Sequence, residues 1–507
     1  MIYLVEVTAA IDSAGTEEVF RFASKGFTTS PTDTPANTHY DARVVNPASI
    51  SRNMFSNGTT SGASRVGYGS VELSNVDGAL DYLLPYSFDG RSLIIKVGES
   101  DAAYSSFTTI LSGTMSQIEF TFAKATILVR DKLAILDNPW QTNLYLGNNV
   151  LPNGVEGVSD IIGKPKPLLY GQVYNIQPLM VNSSLLIYQI NDGAISVISA
   201  VYDRGAPLTF HVNETSVANL EAHEPPAGKY STCLAFGYIR IKTVPSGLLT
   251  CDATQGATAA NRTTAQILKA IAISCGVSSG DILASDVTAL DALNPSIVGI
   301  WLMNGETCLQ VMDQMALSIG AYYGFDALGI MRMGVFTTPT GAADVEINVN
   351  NIISIEHNRT NDSDKGIPAY RVRLNYRKNY SVQDFDLAAS VLDARRNVLS
   401  QNYATISAED LAIQNKYALA VEIVRDTLLV NQAAAQTEAT RVLNLYKVSR
   451  DLYTVRIALD LSEQLPDLVG VANLTINRFG LNSGKLFKII GIEADYSTNR
   501  ATLTLWG

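Results

Sequence analysis

Along the first 130 positions apolar residues recur at every second place. Ile2–Thr8 alternates, a Ser13-Ala14-Gly15 turn follows, and Val19–Ser24 puts Phe20 and Phe22 on one face. Leu93, Ile95 and Val97 alternate around Lys96. Ile118, Phe120 and Phe122 alternate around Glu119 and Thr121, and Ile127–Val129 returns after Ala123-Lys124. A period of two, bounded by Gly, Asn, Asp and Ser clusters, predicts β-strands. Thr28–His39 is polar and predicts a long loop, of a length uncommon unless it touches something. From Arg130 to about Val244 strands continue, punctuated by Pro165, Pro167, Gly171, Pro178, Gly193 and Gly205. Tyr238–Lys242 alternates, with Arg240 and Lys242 on its polar side.

The period then changes. In Thr264–Cys275, Ile267, Ile271 and Cys275 recur at helical spacing, with Thr264 as N-cap and Gly276 past the end. Asn304–Ile319 repeats the design through Cys308, Met312, Met315 and Ile319, stopped by Gly320, with Leu302 or Met303 as a hydrophobic staple. Ala321–Phe336 reads as a hairpin around Asp326-Ala-Leu-Gly329. Gln432–Lys447 predicts a third helix, capped by Asn431, with Ala435, Ala439, Val442 and Tyr446 on one face. Tyr453/Val455/Ile457/Leu459, Leu486–Tyr496 and Ala501–Trp506 close the chain as strands. The polar connector His357–Gly366 marks a boundary.

These patterns predict a mainly β protein with a smaller α+β middle part. The expected divisions are 1–130, 131–250, 251–356 and 357–507. A length of 507 residues accommodates that number of domains. Charged residues are only 17% of the chain, against a typical ~25%. Interface cores are depleted in charge, so the deficit predicts large protein–protein contacts. The net charge of −11 argues against broad nucleic-acid binding, which Lys and Arg carry. The N-terminus lacks a positive region ahead of its apolar run, and Pro167–Asn191 is too rich in Asn and Gln for a membrane helix. A chain made in the cytoplasm without stable membrane insertion is expected.

Catalytic motifs fail individually. Gly163-Lys164 is followed by Pro165, which breaks a phosphate-binding loop. Asn75-Val76-Asp77-Gly78 would need carboxylates where Leu73 and Leu84 stand to hold calcium. His223-Glu224 lacks the paired cysteines of a zinc deaminase. Glu17-Glu18 reads as a solvated face. Cys233, Cys251, Cys275 and Cys308 contain no close pair, so reduced core cysteines are expected, with one disulfide or a cluster as alternatives. Trp140, Trp301 and Trp506 sit in apolar contexts and are expected in cores. No catalytic residue, cofactor or metal site is expected. Tyr370–Lys378 is the one basic constellation. Tyr370, Val372, Leu374 and Tyr376 face one way, and Arg371, Arg373, Asn375 and Arg377 the other. The row fits a solvated or edge-protecting face, a contact strand for a neighbouring subunit, or a phosphate-tracking stripe.

Several segments, in order, resemble the tail-tip or baseplate hub proteins of long-tailed phages and gene transfer agents. They are Gly67–Asp81, Phe88–Gly98, Gly163-Lys-Pro-Lys-Pro-Leu-Leu-Tyr-Gly171, Leu186–Gly193 with Val201–Gly205, Thr307–Val335, Tyr370–Tyr380 and Gly491–Gly507. Within these, Gly163, Lys164, Pro165, Pro167, Tyr170 and Gly171 form the family-like structural motif. The resemblance implies two tube-like β-barrel domains plus peripheral domains, arranged as a homotrimer in the virion at the tail tip. It implies distal tail and tail tube proteins, the tape measure protein and tip or central fibre proteins as partners, with DNA passing without specific binding. Some hubs carry a lysozyme, a peptidase or an iron–sulfur cluster, and the residues for these are missing here. A distal tail ring protein, a host-wall-degrading enzyme and a carbohydrate-binding tail adhesin are the competing readings.

Overall fold

The computed structural model describes residues 1–55, 67–130, 132–360, 367–459 and 466–507. Strand accounts for 42% and helix for 18%, which makes the chain mainly β. The alternation at the N-terminus does what its period demands. In Ile2–Ala10, Val5 and Val7 stand opposite Phe22 and Phe20 of Glu17–Ala23, and opposite Ile95 and Leu93 of Ser92–Gly98. All six side chains enter one buried core with Val71, Leu73 and Ile127. Burying each such side chain stabilises by about 1.5–3 kcal/mol. The even positions Ile2 and Leu4 are also buried, under Tyr40 and Phe107, so the strand is covered on both faces.

The C-terminal strands repeat this arrangement. Tyr453 and Val455 of Arg450–Ala458 stand opposite Leu505 and Leu503 of Arg500–Trp506. These build a second core with Ile347, Leu474 and Phe487. Lys485–Asp495 then pairs antiparallel with Val44–Asn53, placing Gly491 beside Asn53 and Ala494 beside Ile50. The two ends of the chain thereby share one 15-stranded sheet. Its order runs from Ile352–Thr360 to the N-terminal strands without closing on itself among the described residues.

Between the ends lie two five-stranded sheets that sandwich Leu169, Val173, Val201, Tyr230, Ile239 and Cys251. A helical layer follows: Thr264–Ser274, Ala284–Leu293 and Cys308–Leu317, packed with the hairpin Ala321–Phe325/Met331–Val335. Its core also takes Leu133, Leu136 and Trp140 from before the sandwich, and Leu428, Leu429 and Ala435 from after it. A three-stranded sheet, with Ala369–Tyr376 between Ala404–Glu409 and Val421–Asp426, packs under the helix Gln432–Tyr446. In that helix Ala435, Ala439, Val442 and Tyr446 are buried as the stripe requires. Trp140 and Trp506 are buried, and Trp301 packs partly buried on the sandwich core.

Several expectations are corrected. The cap of Thr264–Ser274 is Thr263, whose hydroxyl accepts from the Gln266 amide. The helix expected over Asn304–Ile319 begins at Cys308, not near Asn304. Thr307 and Gln310 form its capping box, and Leu302 belongs to the strand Gly299–Leu302 rather than a staple. Short helices Val217–Ala222, Asp393–Leu399 and Leu411–Lys416 lie outside the middle third. Thr108–Phe120 ends before Phe122, which is 98% exposed in the turn to Lys124–Arg130. Arg240 is buried instead of solvated, because its guanidinium donates to the carbonyls of Leu220 (2.8 Å) and Glu221 (2.7 Å) at the end of a short helix. Cys275 and Cys308 form a disulfide with Cα atoms 6.6 Å apart, because one helix ends where another begins. Cys233 and Cys251 are free and buried. Of the connector His357–Gly366, positions 361–366 lie outside the described residues.

Candidate assembly site

The segment from Gly163 to Gly171 is an entry strap. Gly163 has φ +75 and donates its amide to the Tyr145 carbonyl (2.9 Å), while the Lys164 carbonyl accepts from the Tyr145 amide (3.0 Å). Pro165 bridges to Leu144, and the Pro167 carbonyl accepts from the Asp192 amide (2.6 Å). The Tyr170 ring packs tilted against Trp140, with the ring centres 4.8 Å apart. Gly171 has φ +72 and stands opposite Gly299 in the strand pair. A Cβ on Gly171 would overlap the Val298 carbonyl oxygen, and one on Gly299 the Gln172 carbonyl. Only glycine satisfies both the dihedral and the close approach. The strap therefore joins the sandwich to the helical layer, with its first residues exposed and Gly171 buried at the strand pair.

The arginine strand resolves into three surroundings. Val372 and Leu374 are buried against the helix Gln432–Tyr446, as the alternation predicts. Arg371 pairs with Glu409 (Nη2 2.7 Å) and Arg373 with Glu422 (2.7 Å), each on an adjacent strand of this same chain. The strand is central in its sheet, so it protects no edge. Arg377 lies beyond the strand at φ +51, its amide donating to the Leu429 carbonyl (2.7 Å) and its guanidinium 4.5 Å above the Tyr174 ring. From there the excursion 377–403 docks on the sandwich. The Asn175 side-chain Nδ2 donates to Asn379 Oδ1 (2.8 Å), and Arg395 lies 3.7 Å above the Tyr202 ring while donating to the Gly205 carbonyl (3.0 Å).

A cleft of about 620 Å³ lies where the regions meet, lined by Arg52, Tyr322, Asp326, Arg332, Asp344 and Asp467 among others. Arg52 projects from the N-terminal strand Val44–Asn53 and is 7% exposed. It pairs with Asp467 of the C-terminal part and donates to the Phe325 carbonyl of the middle hairpin. Asp467 also accepts from the Ala327 amide (2.8 Å). One guanidinium thus ties three parts of the chain together. Sequence reading missed it, because Arg52 sits in an unremarkable polar stretch and its partners are hundreds of positions away.

On the outer side of the N-terminal sheet, Glu6 accepts from Tyr40 (2.5 Å), Tyr104 (2.7 Å) and Lys96 (3.3 Å). Burial would raise its carboxyl, but the phenols and Lys96 more than offset this and hold it below the usual range. Burial and the Glu6 bond push Tyr40 up. Every polar atom named has a partner, so the cluster serves to fasten the Phe107 and Tyr40 cover. Among the described residues no group of three or more His, Cys, Asp or Glu is placed to hold a metal ion, and no helix is long and apolar enough to cross a membrane. The cysteine cluster considered from sequence is excluded by the pairing of Cys275 with Cys308.

No family model and no curated relative matches the chain. Solved structures similar to it include phage tail proteins and a gene transfer agent virion. A tail protein from Neisseria meningitidis MC58 aligns over 100% of this chain and 96% of its own, at 10% identity and TM-score 0.44. The 43 kDa tail protein of prophage MuSo2 from Shewanella oneidensis aligns over 100% and 98%, at 11% identity and TM-score 0.42. A chain of the virion of a native gene transfer agent particle aligns over 68% and 84%, at 15% identity and TM-score 0.44.

Proposed function

We propose that this chain is a non-enzymatic structural component of a phage-type tail. It acts as a baseplate or tail-tip hub that joins the tail tube to tip and fibre proteins. In this reading three copies assemble at the tail tip of the virion. The residues 1–130 and 357–507 supply two tube-like domains, the second joined by the strand residues 345–348 and 352–356, and 131–250 and the rest of 251–356 lie outside them. The observation that carries the reading is the sheet built jointly from both ends of the chain through the pairing of Val44–Asn53 with Lys485–Asp495. Such a sheet brings two wall segments together in one subunit, so three subunits present six. The order of hub-like segments and the charge fraction of 17% support the same role. Arg371 and Arg373, already paired and only partly buried, are proposed as a charged rim against a neighbouring subunit, with Arg377 beside them. The net charge of −11 suits a channel wall that repels DNA phosphate while DNA passes.

Imaging of the intact particle tests this. Three copies at the tail tip are expected, in contact with distal tail or tube proteins, the tape measure protein and fibres. Six copies in a ring above the tip would make it a distal tail protein. A neutral or basic bore would remove the repulsion argument. Clearing of host peptidoglycan by the purified chain would move the assignment to an enzyme.

A further inference from the structure

We propose that the Cys275–Cys308 bond is a thiol-addressable latch, in which Cys275 is the sulfur an external thiol attacks and Cys308 the sulfur that leaves. The inference goes beyond the assembly role and does not rest on it. Cys275 caps the C-terminal end of Thr264–Ser274, is partly exposed, and precedes Gly276 at φ +99. Cys308 is the first residue of the ten-residue helix Cys308–Leu317 and is 1% exposed. The two sulfurs therefore differ in access and in field. Peptide dipoles at a helix N-terminus favour negative charge, and those at a C-terminus oppose it. A thiolate is better accommodated at Cys308, and attack is open only at Cys275.

The exchange is balanced as follows. A small thiol sheds its proton, and its thiolate attacks the Cys275 sulfur. The protein S–S bond breaks, and Cys308 departs as a thiolate that takes up a proton. A second small thiolate attacks the small-molecule sulfur of the mixed disulfide, and Cys275 leaves and is protonated. Two small thiols become one small disulfide, while one protein disulfide becomes two thiols.

The latch has something to hold. Trp140 donates its indole N–H to Ser274 Oγ (2.9 Å), next to Cys275. The Cys308 amide donates to the Asn138 carbonyl (3.1 Å), and the Trp140 amide to the Glu306 carbonyl (3.0 Å). The crossing from the N-terminal sheet to the sandwich is thus fixed at both ends of the disulfide. Reduction releases a closed loop spanning a sequence separation of 33 and loosens this crossing.

Full-length protein, glutathione and mass spectrometry test the assignment. During partial reduction quenched by acid, glutathione is expected on the peptide containing Cys275. In C308S, oxidised glutathione is expected to modify Cys275 at least about tenfold faster than it modifies Cys308 in C275S. Phosphine reduction of the wild type is expected to speed amide exchange across 132–140 at least about fivefold. Glutathione found on Cys308, equal rates in the two variants, or two additional thiols alkylated without any reductant would each overturn the latch. The partial-reduction experiment uses the wild type and stands even where a variant does not fold.

Discussion

Asp313 lies on the helix Cys308–Leu317 with its carboxylate turned into the layer, where it accepts a hydrogen bond from the Tyr323 hydroxyl (2.6 Å). Burial pushes its carboxyl up to about 6, against the lowering effect of that bond. The ordinary value is 3.8, and a tenfold change in proton affinity corresponds to about 1.4 kcal/mol. The folded state holds this proton more tightly than the unfolded state. Stability from this group is therefore fully present below about pH 4, falls as pH rises towards about 6, and is flat above. The ceiling on the loss is about 3 kcal/mol. Asp313→Asn keeps an acceptor for Tyr323 and removes the charge, but it introduces an amide N–H₂ that costs about 1 kcal/mol if unpaired. The expected net gain at pH 7.5 is about 1–2 kcal/mol, or about 5–30-fold in local opening. The chain has several cores, so a single unfolding free energy is ill defined. Amide exchange in peptides spanning 308–325, as the ratio of variant to wild type, is the suitable assay. The variant should open less readily than the wild type at pH 7.5; near pH 4, where the wild-type carboxyl is already neutral, that advantage should be gone and the ratio should rise to one or above. A ratio independent of pH, or a variant that opens more readily at pH 7.5, would refute the burial argument.

Three further outcomes follow from the same reasoning. Gly171→Ala places a methyl group against the Val298 carbonyl at φ +72; a loss of about 3 kcal/mol or more is expected, seen as a sharp fall in soluble folded protein. Arg52→Met leaves Asp467 and the Phe325 carbonyl without their shared donor; about 2–4 kcal/mol should be lost, with faster proteolysis in the hairpin near Phe325, and a double-mutant cycle with Asp467→Asn should show strong coupling. Arg371→Ala and Arg373→Ala remove pairs that water screens; monomer stability should barely move, whereas a loss of oligomer in sedimentation would support the subunit rim.

Local physics was legible in the chain. The stripe Ala435, Ala439, Val442 and Tyr446 and the hairpin around Gly329 needed only near neighbours, and both stand as the spacing predicts. Thr263 rather than Thr264 caps its helix because two threonines are adjacent and only backbone geometry chooses between them. Ala284–Leu293 escaped notice because it buries only Val287 and Leu290, too few to make a stripe. Within the candidate site, the alternation of Tyr370–Tyr376 was readable, but the carboxylates that meet Arg371 and Arg373 were not.

The charge deficit, the strand and helix periods and the glycines of the strap belong to the sequence, since each reflects a preference of a residue or a near neighbour. The tertiary structure decided the rest. It joined Val44–Asn53 to Lys485–Asp495, brought Cys275 to Cys308 and closed Arg52 on Asp467. Those contacts link residues with no short-range relation, and their free energy depends on where whole sheets come to lie. Periodicity states which face of a strand is buried; only packing of the complete chain selects the strand that lies beside it.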